Sequence, residues 1–191
     1  MKRIHYGFVL AAFLMTGSVP SLAQNKKEYG FVGTKNCRKC HLKEYRSWRE
    51  TKMAKAFDLL KPGERAKAKK EAGLDPKKDY TEDPECVACH VTGYGKPGGF
   101  VSLEQTPNLS GVGCEVCHGA GSEYVKPQHM SLKNKRYKLA EVVKVGLLSP
   151  VTEEACTDCH NKKSPFFKPF DFAERKSQGT HKHFPLKYKH E

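Results

Sequence analysis

Cys37-Arg38-Lys39-Cys40-His41 recurs in kind three more times, as Cys86-Val87-Ala88-Cys89-His90, Cys114-Glu115-Val116-Cys117-His118 and Cys156-Thr157-Asp158-Cys159-His160. All eight cysteines of the chain fall in these four units. Cys-x-x-Cys-His is the spacing of covalent haem attachment. Two thiols form thioethers to the two vinyl groups of one porphyrin, and the adjoining imidazole is placed to bind the iron from that side. Zinc sites and disulfides also use paired cysteines. Neither accounts for a histidine after every pair, which at a frequency of about one in twenty arises four times out of four about once in 10⁵ chains. The sequence therefore calls for four haem c groups. Cys37, Cys40, Cys86, Cys89, Cys114, Cys117, Cys156 and Cys159 anchor them, and His41, His90, His118 and His160 are the proximal iron ligands.

Working outward from the motifs, the rest of the chain is short of core. The stretch from Gly63 to Tyr80 is mostly lysine, alanine and acid, the tail is rich in lysine, and strongly periodic apolar segments are few. Four porphyrins supply large flat apolar surfaces for Phe, Tyr and Leu to pack against. The expected fold is mainly α, a small multihaem cytochrome c fold with the haems as its core and little or no sheet.

The N-terminus reads as a secretory signal. Met1, Lys2 and Arg3 precede an apolar run from Phe8 to Met15, and Ser21-Leu22-Ala23 supplies a small-x-small cleavage site. The run is far shorter than the roughly 20 residues that span a bilayer. Residues 1–23 are thus expected to be removed, leaving 24–191 as one domain with no transmembrane segment, in the periplasm or otherwise exported. Loss of Lys2 and Arg3 takes the formal charge from +13 to +11. A basic surface suits redox partners with an acidic docking face. Export and the lack of any nucleic-acid-binding motif disfavour nucleic acid.

Between the motifs, Leu42 to Leu60 has helical spacing, with Tyr45, Trp48, Met53, Phe57 and Leu60 three to five apart and the last three on one face. The polar stretch from Gly63 to Gly73 reads as a solvated helix or arm. Gly93 to Gly99 is a turn-rich loop joining two short strands around Phe100 to Leu103. Leu139 to Val143 has helical character, and the prolines of Pro165-Phe166-Phe167-Lys168-Pro169-Phe170 favour an extended segment against a porphyrin. Each iron has two axial positions. After the proximal ligands and His5 of the signal are set aside, His129, His181, His183, His190, Met53 and Met130 remain as distal candidates, and Met53 taken alone reads as a core methionine.

The motifs, their order and the residues between them resemble the tetrahaem cytochromes that accept electrons from hydroxylamine oxidoreductase in ammonia-oxidising bacteria. The likeness runs from about Gly33 to Phe184. It is carried by Ser47-Trp48 with Thr51 and Ala54-Lys55-Ala56, by Leu74-Asp75-Pro76 with Lys78-Asp79-Tyr80-Thr81, and by the loop from His90 to Gly99. Gly111-Val112-Gly113-Cys114-Glu115 and His181-Lys182-His183 complete it. The resemblance implies a helical fold with haems in stacked and angled pairs, three of them with two protein ligands and the second with an open side. It further implies His129 as distal ligand of the first haem and His181 of the third. Met53 stands where the family has a distal histidine, for the fourth haem. A thioether there favours ferrous iron and raises the potential. The segment between His160 and His181 is shorter than the family's, so the second haem is either closed by Met130, His183 or His190 or opened more widely.

Electron transfer between respiratory redox partners is the leading functional reading. A nitric oxide or hydroxylamine reductase at an open second haem is the enzymatic alternative, although no dedicated acid, base or substrate channel is recognisable. A conducting filament is the structural one. The pairing of His129 and His181 within the chain favours a monomer.

Overall fold

The computed structural model describes residues 27–133 and 136–185. Within them lie eight short α-helices. These are α1 (Thr34–Arg38), α2 (Leu42–Arg49), α3 (Ala66–Glu71), α4 (Pro84–His90), α5 (Cys114–His118), α6 (Leu139–Val143), α7 (Glu154–Thr157) and α8 (Phe172–Gly179). Two 3-10 turns, Phe57–Leu60 and Pro107–Leu109, complete the inventory of the described residues. No strand forms among these residues, and one antiparallel bridge joins Val91 to Ser110. The mainly helical class is as expected, and α6 lies where its sequence placed it. The signal segment and His190 lie outside the described residues.

Local sequence explains where the helices start and stop. Asp83 caps α4 by accepting from Glu85 N at 3.2 Å, with Pro84 at the first helical position, where its missing N–H costs nothing. Asp171 caps α8 in the same way, accepting from Glu174 N at 2.8 Å. The helix expected from Leu42 to Leu60 ends instead at Arg49. There the Thr51 hydroxyl donates to the Trp48 carbonyl at 2.7 Å and accepts from Ala54 N at 3.3 Å, satisfying groups that a continuing helix would use. Met53 consequently sits in a turn. Phe57 and Leu60 reach the core from a 3-10 segment, so the three do not share an α-helical face.

Two other expectations are corrected by local hydrogen bonds, in each case one to a side-chain acceptor and one to a backbone acceptor. Near Phe100, Val101 N donates to Thr106 Oγ1 at 2.8 Å and Thr106 N to the Ser102 carbonyl at 2.9 Å, which folds a turn in place of a strand. After the fourth motif, Phe166 N donates to Ser164 Oγ at 3.2 Å and Phe167 N to the Ser164 carbonyl at 3.0 Å. The segment therefore opens with a turn and not with extended chain.

Among the described residues the main hydrophobic cluster is Phe57, Leu60, Tyr80, Val87, Val91, Phe100 and Leu109, built where α4 packs on the Phe57–Leu60 turn. Each such side chain contributes about 1.5–3 kcal/mol when fully buried. The polar arm is tied to this cluster. Lys69 of α3 is 4% exposed, donates from Nζ to the Lys61 carbonyl at 2.8 Å and lies 5.2 Å from the centre of the Tyr80 ring. Most other side chains of α3 face water.

Candidate functional site

Each motif winds one helical turn. His41 N and Cys40 N donate to the Cys37 carbonyl at 2.9 and 3.2 Å, and His160 N and Cys159 N do the same to Cys156 at 2.9 and 3.2 Å. The second and third motifs lie within α4 and α5. Residues three and four apart share a helix face. Both thiols and the imidazole of a unit therefore point the same way, and none of the eight cysteines is in a disulfide.

The four units form a row. A hydrogen bond between Cys37 and Cys114, then burial, raises the Cys37 thiol, while the same hydrogen bond lowers Cys114 against the opposing effect of burial. Burial, then the nearby Cys156 and Cys114, push Cys117 up to about 11. Burial and then Cys89 raise Cys159. The packing of α1 on α5 and of α5 on α7 agrees with these neighbours. The spatial order of motifs is thus first, third, fourth, second, which differs from their order in the chain.

Three of the motif histidines, His90, His118 and His160, are oriented by neighbouring groups. His90 Nδ1 lies 2.6 Å from the Ala56 carbonyl oxygen. A carbonyl only accepts, so Nδ1 carries the proton and the Nε2 lone pair is free for a metal. The His118 ring bonds to backbone at Leu148, and burial, then His181 and His183, hold its pKa below the usual imidazole range. A neutral ring is the form that binds iron. His160 stacks on Phe170 with centroids 4.6 Å apart and planes at 22°.

Of the distal candidates, His181 lies with its ring centroid 6.2 Å from that of His118 and 4.7 Å from that of His183. Its segment is held to α2 where Lys182 N donates to Ser47 Oγ at 2.8 Å. His129 is half-buried, with Nε2 3.6 Å from Glu123 Oε1. Met53 is half-buried as well. Its carbonyl accepts from Val112 N at 2.9 Å, so the turn that holds it rests on the approach to the third motif. Met130 is half-buried and His183 exposed. Leu148 was missed, and the particular contacts of Ala56, Ser47 and Phe170 were not legible, because they depend on backbone atoms or on partners distant in sequence.

These residues fit covalently held haem. The thiols are free and paired on one face, the His90 ring is held by a backbone acceptor, and burial holds His118 and His160 below the usual imidazole range. Phe166, Phe167 and Leu148 are 45%, 38% and 49% exposed near the third and fourth motifs, in keeping with an apolar partner that is not polypeptide. Among the described residues no three His, Cys, Asp or Glu side chains converge as a bare metal ion would need.

A helical chain with four such units in contact is a multihaem c-type cytochrome. It matches a family model, "Cytochrome c554 and c-prime", over residues 36–119. It is 35% identical over 205 aligned residues to cytochrome c-554 of Nitrosomonas europaea, an alignment spanning 94% of this chain and 86% of the relative. The solved structure of that organism's cytochrome c554 in its reduced state superposes with a TM-score of 0.75 at 34% identity, covering 86% of this chain and 91% of the other. The chain belongs to the cytochrome c-554 family. It is an electron-transfer protein carrying four covalent haem c groups.

Proposed function

We propose that residues 1–23 direct export and are removed, and that 24–191 work in the periplasm as a single domain relaying electrons between redox proteins with acidic docking faces. Attached haem supplies an iron that takes up and gives back one electron. The chain's own part is to space and hold four of them. The observation that carries this reading is the row of neighbouring units, with α1 packed on α5, α5 packed on α7, and Cys89 beside Cys159. It leaves no long gap between neighbouring anchor points.

In this reading the eight cysteines anchor and His41, His90, His118 and His160 ligate proximally. His181 is the distal ligand of the third haem. Two imidazoles bound to one metal at about 2 Å each have centroids roughly 6 Å apart, and the His118–His181 separation of 6.2 Å suits that arrangement. His129 for the first haem and Met53 for the fourth are assigned from the family resemblance. Among the described residues no helix is long and apolar enough to cross a membrane.

Two measurements test the proposal. Coulometric titration of the mature protein should take up four electrons per chain, and a smaller number would sink the four-site relay. His181→Ala should convert one low-spin ferric signal to high-spin in electron paramagnetic resonance. An unchanged spectrum would remove His181 from the ligand set.

A further inference from the structure

Glu115 fills a spacer position of the third motif, yet it is 2% exposed. Its carboxylate is held by backbone N–H groups alone. Val32 N donates to Oε1 at 3.0 Å and to Oε2 at 3.2 Å, Gly33 N to Oε2 at 2.7 Å, and Gly121 N to Oε1 at 2.7 Å. Among the described residues none of these partners is a cationic side chain. The cradle is shaped for the group: Gly33 has φ of +82°, and a Cβ on Gly121 would lie 2.9 Å from Oε1. A carboxylate accepts and all three partners give, so the site is built for the ionised group.

This buried anion stands at the junction of two motifs. It follows Cys114 directly, and its partner Gly33 caps α1, which carries Cys37. Cys37 and Cys114 touch each other, and Glu115 acts electrostatically on both.

We propose that Glu115 sets the reduction potentials of the haems on the first and third motifs, holding both lower than they would be without it. Reduction adds one electron per iron, ferric becoming ferrous, with no bond made or broken and no proton needed at Glu115. A negative charge buried away from water and salt opposes that electron at close range. Electrons arriving at the first and third haems are thereby pushed onward toward the fourth and second. The inference rests on the four motifs being the haem anchors. A pyridine haemochrome count of four haems per chain checks that reading separately.

The test is Glu115→Gln, followed by spectroelectrochemistry at a single pH. Two of the four midpoint potentials should rise by at least tenfold in the reduction equilibrium, which is about 59 mV for one electron, while the other two stay. A carboxylate that only staples the chain predicts otherwise. Loosening the staple admits water, which favours the more highly charged ferric iron and lowers the potentials. Unchanged or lowered potentials overturn the proposal. Glu115→Asp, which keeps the charge, should return both potentials toward the wild type, and failure to do so counts against it.

If Glu115→Gln does not mature with four haems, wild-type protein labelled with ¹³C-glutamate gives the answer by redox-difference infrared spectroscopy. A carboxylate band that shifts as two of the haems are reduced supports the proposal. A protonated carboxyl band, or none that responds, overturns it.

Discussion

At position 53 a methionine sits in a turn that two hydrogen bonds fix in place. Its carbonyl accepts from Val112 N at 2.9 Å and from Ala56 N at 3.2 Å. The side chain is half-buried, neither packed into the aromatic cluster nor free in water. As a ligand its sulfur would stabilise ferrous iron relative to an imidazole. Met53→His should therefore lower one of the four midpoint potentials by at least tenfold in the reduction equilibrium, about 59 mV, with the other three unmoved. Potentiometric titration of the variant reads this directly. Four unchanged potentials would make Met53 a packing residue, as its surroundings in the sequence alone suggested.

Between elements, close backbone approach does what large cores do elsewhere. Gly111 has φ of +80°, and a Cβ there would lie 2.5 Å from the Ala54 carbonyl oxygen, so this glycine lets the turn after α2 sit against the third motif. Gly73 has φ of +75° but nothing within 4 Å. Gly73→Ala bears only the left-handed backbone cost, about 1 kcal/mol. Gly111→Ala adds a clash with backbone and should cost about 3 kcal/mol or more. Paired thermal denaturation of the two holo variants checks this, and equal losses would show that the approach at Gly111 is not tight. The same scale explains what the sequence could reveal. The four motifs and the helix at Leu139–Val143 are local patterns and were legible. The end of α2 was not, because Trp48 Nε1 donates at 2.9 Å to Val112, 64 residues away, and Thr51 folds back on the Trp48 carbonyl. Glu115 entered only as part of the family resemblance, and its buried cradle was not legible, since its partners Val32, Gly33 and Gly121 lie outside its motif. The order of motifs in space was illegible for the same reason, being fixed by units 39 to 77 residues apart in the chain.

Over the whole molecule the dominant feature is charge, +13 for the full chain with 34 Lys and Arg against 21 Asp and Glu. The described ion pairs, such as Lys61–Asp58 at 2.6 Å and Lys126–Glu123 at 2.8 Å, are local in sequence, and the cations outnumber the acids by 13 over the chain. Exposed pairs of this kind contribute about 0–1 kcal/mol each, so the excess matters for encounter more than for stability. A field of that sign draws an acidic partner in over distances that salt cuts to about 10 Å at 0.1 M. Stopped-flow reduction by an acidic electron donor should slow by about tenfold or more between roughly 0.01 M and 0.2 M salt. Reduction by a neutral small-molecule donor should hardly change. Haem propionates add negative charge close to the porphyrin edges, so a protein whose partners are basic would dock there and show a rate with the opposite preference. A rate to an acidic donor that is flat in salt while that to a basic donor falls would therefore place recognition at the haem edges and not on the lysine-rich surface.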